Sequence, residues 1–595
     1  MADQQTALES VRWDLTDLYA GTDDPTIDAD LDRCDRDADA LVQGFHGKVK
    51  ELDAAGMADL VAGYEDIQER AANVGIYAQL AWTVDTQSPE TGALLQRVTE
   101  RGSKLEQKLL FFELEWAALD DERAATLLED DALVRWRHFL TVARLYRPHL
   151  LSEPEERILS ETAVTGRDAW TRYYDELHTG AEYRLDGEVI QREVLLSKLH
   201  GPDREERRSA AAAVTEGLQK LLPSSTFIFN TLMADKASND SLRSYESWIS
   251  SRNLSNQVDD ATVDALVDAT TSRYDVVRRY YELKKRLMGL DELFDYDRYA
   301  PLQAAERTVG WDDARDVVLA AYKEFHPTLH GVGTQFFDNA WIDAPVQEGK
   351  RGGAFAMPGT PQKHAYLLLN YEGRPRDVMT LAHELGHGVH QMLYRERGWL
   401  NANTPLTTAE TASVFGEMLV FQRMTAAEED PRERLGMLVG KIEDTFATVY
   451  RQIAMNRFEH AIHQSRRAQG ELSADRFADA WTETQEAMFQ GSVTLTDDYR
   501  IWWSYIPHFV HTPGYVYAYS FGELLVLALY ARYQSEGGDF GDRYIEMLSA
   551  GGSDWPHDLM KPLGVDLTDP GFWNEGVALV EQMVSDAEKL AAEIG

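Results

Sequence analysis

The stretch Thr380-Leu-Ala-His383-Glu384-Leu-Gly-His387-Gly-Val-His390 decides how this chain is read. On an α-helix, residues i and i+4 share one face, so His383 and His387 can offer two imidazoles to a single metal ion. Glu384 lies about 100° around the same cylinder, close enough to hold a water beside that ion. Two nitrogen ligands with an adjacent carboxylate form the donor pattern of zinc-assisted hydrolysis. The helix pattern runs from Asp377 to Arg397, with Pro375 before it and Gly398 after it, the expected terminators. Gly386 and Gly388 each cost such a helix about 1 kcal/mol against alanine. Their position on either side of His387 therefore predicts close packing there.

Working outward, the segment before the motif carries strand signals. Gly352-Gly353-Ala-Phe-Ala reads as one strand and Ala365-Tyr-Leu-Leu-Leu-Asn370-Tyr371 as another, a small sheet beside the motif helix. An exposed edge of such a sheet can pair with an extended peptide through main-chain hydrogen bonds. Tyr183-Arg-Leu-Asp186-Gly187-Glu-Val-Ile190 has the Asp-Gly signature of a hairpin. Nearly everything else has helical periodicity, notably 58–119, 266–288, 433–469 and 577–594, whose Leu, Ala and aromatic stripes read as core faces.

A catalytic zinc takes three protein ligands and keeps one position open. Beyond His387 the next donors lie in Thr407-Thr408-Ala-Glu410-Thr-Ala-Ser413-Val-Phe-Gly-Glu417, a segment that opens a second helix. Either carboxylate could complete the set. Thr407-x-x-Glu410 is also a capping box, in which Glu410 would serve its own helix N-terminus.

Composition bounds the possibilities. The 595 residues include 59 Lys and Arg against 100 Asp and Glu, a net charge of −41. Such an excess repels nucleic acid and anionic lipid, so neither is expected as a partner. Lysine is scarce and carboxylates are spread along the whole chain, a pattern expected of a protein adapted to a salt-rich cytoplasm, although the excess of arginine over lysine is equally expected from a GC-rich genome. No apolar run of membrane-spanning length occurs, and residues 1–9 lack the basic and apolar blocks of a secretory leader. Cys34 is the only cysteine, which excludes an internal disulfide framework and fits a reducing cytoplasm.

Taken together, several segments resemble the oligoendopeptidase F branch of the M3 zinc metallopeptidases. They are Arg12-Trp-Asp-Leu-Thr-Asp-Leu-Tyr19, Gly349-Lys350-Arg-Gly-Gly-Ala354-Phe355, Leu369-Asn370-Tyr371 and Glu410-Thr-Ala-Ser413-Val-Phe-Gly-Glu417. Arg451-Gln452, Phe458-Glu459, Gly551-Gly-Ser553 and Gly564-Val-Asp566 extend the likeness toward the end of the chain. The resemblance implies a mainly α fold with two helix-rich lobes enclosing a deep substrate channel and a small β-sheet next to the motif helix. It implies an N-terminal helical region over 1–200 and a catalytic region over 201–595. It implies one zinc ion held by His383, His387 and Glu410, Glu384 as general base toward a zinc-activated water, and Glu417 as orienter of a ligand histidine. It implies short peptides as substrates, bound along Gly353 and Ala354.

The segment Ile506-Pro-His508-Phe-Val-His511-Thr-Pro-Gly514-Tyr515-Val-Tyr517-Ala-Tyr519 is dense in imidazole and phenol. By itself it reads equally well as a core cluster. The resemblance makes Tyr515 and Tyr519 contacts to the substrate or transition state and His511 the nearby imidazole, with His508 and Tyr517 as alternatives. An exopeptidase of similar build, or a silent peptide-binding protein that keeps a metal for structure, are the rival readings. The first would need a device that captures a peptide terminus, and the second has no use for Glu384.

Overall fold

The computed structural model describes residues 8–302, 308–402 and 404–594; residues 1–7, most of the stretch read for a leader, lie outside them. The fold is mainly α, as expected, with five short strands among the described residues: β1 (Tyr183–Leu185), β2 (Glu188–Ile190), β3 (Ile342–Pro345), β4 (Phe355–Met357) and β5 (Tyr366–Tyr371). No helix of the described residues is long and apolar enough to cross a membrane.

Both sheet expectations hold. β1 and β2 pair antiparallel with Tyr183 opposite Ile190. Asp186 (φ 54°) and Gly187 (φ 86°) form the left-handed two-residue turn that Asp-Gly favours. The second sheet has the order β3-β5-β4, so β4 is an edge strand. β5 runs antiparallel to β4, with Ala356 opposite Leu367, and parallel to β3. β3 was not anticipated.

The chain forms two compact units, each assembled from three stretches. The first comprises Met1–Arg147, Arg307–Ala426 and Arg532–Val565 and contains the second sheet and the histidine motif. Its opening segment backs that sheet. Trp13 meets Tyr366 edge-on at 6.3 Å, and Asp17 accepts the Tyr366 hydroxyl at 2.7 Å. Asp343 of β3 lies 3.2 Å from Arg12 and 2.6 Å from the buried Lys350 ammonium. The Arg-Trp-Asp opening and the distant Gly-Lys approach thus converge on one strand, although nothing in either segment names the other.

The second unit comprises Pro148–Glu306, Ala427–Ala531 and Asp566–Gly595. Its longest helix, Arg204–Leu242, starts where Asp203 accepts the N–H groups of Glu205 and Glu206. The core holds Phe229, Phe458, Phe477, Trp481 and Trp503. Buried cations here are mostly matched by acids: Arg207 with Asp297 at 2.9 Å, Lys236 with Asp240 at 3.0 Å, and Lys284 with Glu443.

Candidate metal centre

The motif helix spans Pro375–Tyr394, with proline in its first turn. Asp377 closes its N-terminus by accepting the N–H groups of Glu372 and Arg374, each at 2.9 Å. A 3-10 turn over Arg395–Arg397 follows, and Gly398 (φ 89°) ends it in a conformation that glycine adopts freely. Both motif glycines sit at close contacts, as predicted. A Cβ on Gly388 would lie 2.7 Å from the Phe336 ring and 3.2 Å from Leu367 of β5. A Cβ on Gly386 would lie 2.5 Å from the Ala412 carbonyl oxygen and 2.6 Å from Ser413 Cα. Ala412 and Ser413 belong to the helix Thr411–Ala427, so Gly386 lets two backbones meet. Tyr322 bridges the same pair of helices: it donates to the Ala382 carbonyl at 2.8 Å and its ring fills the space over Gly416. Tyr544, far along the chain, donates to the Thr411 carbonyl at 2.7 Å.

This crossing brings three of the expected ligands together. The Nε2 atoms of His383 and His387 each lie 3.3 Å from the same carboxylate oxygen of Glu410. One donor atom from each of the three residues falls within 4.8 Å of the others. Glu410 stands at a break between the short helix Leu406–Ala409 and Thr411–Ala427, and Ser413 donates to its Oε2 at 2.7 Å. Its Oε2 faces both histidines and the Ser413 hydroxyl. Glu417 lies 3.4 Å from His383 Nδ1, the ring nitrogen that Glu410 does not face. An acceptor at Nδ1 keeps the proton there and leaves Nε2 as the donor atom.

The charges explain the ionisation. Burial disfavours a charge on His383, but Glu417, Glu410 and Glu384 outweigh it and push its pKa up to about 9. Burial would likewise raise Glu410, but His387, His383 and Ser413 hold it down at about 2. Three carboxylates around one imidazole make this a site built for positive charge. Two imidazole nitrogens and one carboxylate also match the three-ligand set of catalytic zinc, so the residues fit that ion. Glu384 is 7% exposed, and burial lifts its pKa above the ordinary carboxylate range. The Ala356 N–H of edge strand β4 donates to it, a partner that sequence reasoning missed. His390, one turn beyond His387, is buried and held near pKa 3 by desolvation, which suits a packing role.

Gly353 (φ 80°) and Ala354 precede β4 on the surface; Asn370 pins them by donating to the Gly353 carbonyl at 2.7 Å. The imidazole and phenol segment belongs to the second unit. There His508, not His511, joins the tyrosines. Its Nε2 lies 3.2 Å from the Tyr519 hydroxyl, and its ring stacks with Tyr515 at 6.2 Å. His511 is paired with Asp175 at 2.9 Å. Tyr517 is fully buried and accepts from Asn256 at 2.8 Å. Buried Glu459 accepts the Gly514 N–H at 2.9 Å and so anchors the loop carrying Tyr515.

Comparison with known proteins agrees with this geometry. The chain is 27% identical to oligopeptidase PepF of Bacillus subtilis, over 89% of this chain and 80% of that one. It is 25% identical to the group B oligopeptidase PepB of Streptococcus agalactiae, over 100% and 99%. Among solved structures, oligoendopeptidase-F from Enterococcus faecium superposes with a TM-score of 0.72 at 22% identity, covering 95% of this chain and 99% of that one. A peptidase structure from Chlamydophila abortus superposes with a TM-score of 0.87 at 21% identity, covering 99% of each chain. The profile named Oligopeptidase F matches residues 115–181, and that of Peptidase family M3 matches residues 197–579. The second match takes in both helices that carry the His-His-Glu cluster, and by it the chain belongs to peptidase family M3 and is a metalloendopeptidase.

Proposed function

We propose that the protein is a zinc-dependent oligoendopeptidase of the cytoplasm that cleaves internal bonds of short peptides. The observation that carries this reading is the convergence of His383 Nε2 and His387 Nε2 on one oxygen of Glu410, with Glu384 beside them on the motif helix. His383, His387 and Glu410 would hold the ion. When bound, zinc supplies a Lewis acid for the peptide carbonyl and makes water acidic enough to react near neutral pH.

The chain's own residues do the rest. Glu417 keeps the proton of His383 on Nδ1. Glu384 takes a proton from the attacking water and delivers it to the nitrogen of the departing amine. Its raised pKa brings it nearer the working range of a group that must both accept and give a proton. β4 presents its free edge to the substrate. Ala356 points its N–H to Glu384, and Ala354 lies two residues earlier, on the approach to that strand. An extended peptide paired at Ala354 and Gly353 would be held by its main chain, whatever its side chains. Tyr515 and Tyr519 are assigned hydrogen bonds to the substrate, with His508 as the imidazole that orients Tyr519.

The reading is tested by digesting a mixed peptide library with and without a chelator and analysing the products by mass spectrometry. Internal cleavage of short, terminally blocked peptides, lost on chelation and restored by zinc, is expected. Cleavage that survives complete metal removal, or that requires a free terminus, would overturn it. Substituting Glu417 by Ala should weaken zinc affinity or activity roughly 10- to 100-fold, because His383 loses the acceptor on its far nitrogen. Tyr519→Phe should lower kcat by roughly 10- to 1,000-fold at little cost in stability, the range for loss of one donor to a developing oxyanion. An unaltered kcat would remove Tyr519 from the chemistry.

A further inference from the structure

Arg376 stands on the line of the two motif imidazoles. It lies seven residues before His383 and eleven before His387 on the helix Pro375–Tyr394, in the first unit. At about 100° per residue it falls between them around the helix axis, about 20° from each. Along the axis it is about 10 Å from His383. It is exposed, and among the described residues its guanidinium has no carboxylate, carbonyl or ring against it. A cation in the first turn also opposes the helix dipole, so the helix itself gains nothing from it. Arg432 and Arg476 are exposed in first turns as well, but their helices, Pro431–Thr448 and Ala474–Phe489, hold no site residue.

The free edge of β4 leads to the same place. The Ala356 N–H reaches Glu384, midway along the motif helix. Asn370, five residues before Pro375, donates to the Gly353 carbonyl at 2.7 Å and the Arg351 carbonyl at 3.0 Å. From Ala356 back to Arg351 the chain therefore runs toward the first turn of that helix. A peptide paired at Ala354 and Gly353 extends the same way. The space beside it is open: a Cβ on Gly352 or Gly353 would meet nothing within 4 Å. Arg351 brings a second exposed cation to this end, its N–H tied to the Thr83 carbonyl at 2.9 Å and its guanidinium over the Phe355 ring at 5.4 Å. The acids here are engaged. Glu372 pairs with Arg374 at 2.5 Å, and Asp377 accepts the N–H groups of Glu372 and Arg374.

We propose that Arg376, with Arg351 at the same end, forms a specificity subsite for an acidic side chain of the peptide substrate. The proposal rests on the peptidase reading. A guanidinium offers several N–H donors to one carboxylate. In a protein of net charge −41 it also gives acidic peptides a local attraction against the general repulsion. The carboxylate belongs to a residue within the peptide, so neither terminus needs to be free.

The test uses internally quenched peptides of one sequence, blocked at both ends, in which a single glutamate or glutamine is moved through every position around the cleaved bond. The zinc-loaded wild-type enzyme should favour Glu over Gln at one position removed from that bond. The expected ratio is roughly 2- to 5-fold in kcat/KM, the range for one exposed ion pair. It should shrink in molar KCl. R376Q should collapse the ratio to about one, R376K should keep part of it, and R376E should turn it into a preference for lysine. R376Q should melt at or above the wild-type temperature, because the helix loses a cation that its dipole opposes. Absence of any Glu preference in the wild type overturns the proposal, as does a preference that survives R376Q. A preference removed only by R351Q overturns the assignment to Arg376. A melting temperature several degrees lower in R376Q overturns it in favour of a structural arginine. If no peptide is cleaved, the peptidase reading fails, and calorimetric binding of the Glu and Gln peptides to wild type and R376Q decides the subsite. Tighter Glu binding that R376Q loses supports it, and equal binding overturns it.

Discussion

Glu384→Gln should remove peptide hydrolysis by about 10²- to 10⁴-fold while zinc content and thermal unfolding stay near wild type. Glutamine has the same shape and can still accept from the Ala356 N–H, so the edge strand and the helix keep their contact. What it lacks is a basic oxygen to take the proton from water. The substitution thus separates proton transfer from metal binding, because His383, His387 and Glu410 remain where they were. Metal analysis of the purified variant beside its kcat/KM gives the answer. Zinc retained with hydrolysis lost supports the base assignment. Unchanged hydrolysis removes Glu384 from the mechanism, and zinc lost along with hydrolysis would make it a structural acid instead.

Gly386→Ala should be the most damaging single methyl in the site. Helix propensity alone favours alanine by about 1 kcal/mol. The added Cβ, however, would stand 2.5 Å from the Ala412 carbonyl oxygen and 2.6 Å from Ser413 Cα, both backbone atoms of a packed helix. Neither can swing aside as a side-chain tip can. Relief requires the two helices to part, at a cost of about 1–3 kcal/mol. That movement separates His387 from Glu410, because each is fixed to one of the two helices. A lowered melting temperature and a zinc affinity reduced at least about tenfold are expected. Gly388→Ala is the control. Its Cβ would meet a ring edge of Phe336 at 2.7 Å, and a ring can tilt. If Gly386→Ala raised the melting temperature, the close crossing would not be what the glycine serves.

Much of this was legible in the chain, and what was not has physical reasons. The motif helix was bounded by Pro375 and Gly398 because both act through their own backbone. The hairpin at Asp186-Gly187 is equally local. β3 escaped notice because Ile342-Asp-Ala-Pro345 has an acid and a proline where strand patterns have branched apolar residues. It is a strand because its main chain pairs with β5, with Asp343 held by Arg12 and Lys350, and all of these partners but Lys350 are remote in sequence. The His-His-Glu cluster followed from spacing and resemblance. The supports that set its geometry, Tyr322 and Tyr544, are ordinary core tyrosines until the fold is known. Spacing also could not rank His508 against His511. Their tertiary neighbours differ: a tyrosine hydroxyl for one and the Asp175 carboxylate for the other.

The three-part build of the first unit has a consequence for how the protein is made. A ribosome that has released the chain through residue 531 has produced every residue of the His-His-Glu cluster. It has not yet produced the strip that backs them, where Tyr544 holds the Thr411 carbonyl and stacks its ring 4.5 Å from Phe415. Synthesis of the stretch between Glu410 and Val565 takes roughly 8–30 seconds. The ligand set is therefore complete in sequence well before the strip that fixes its second helix, so that helix gains its contacts from Tyr544, to the Thr411 carbonyl and the Phe415 ring, only once residues 532–565 have been made.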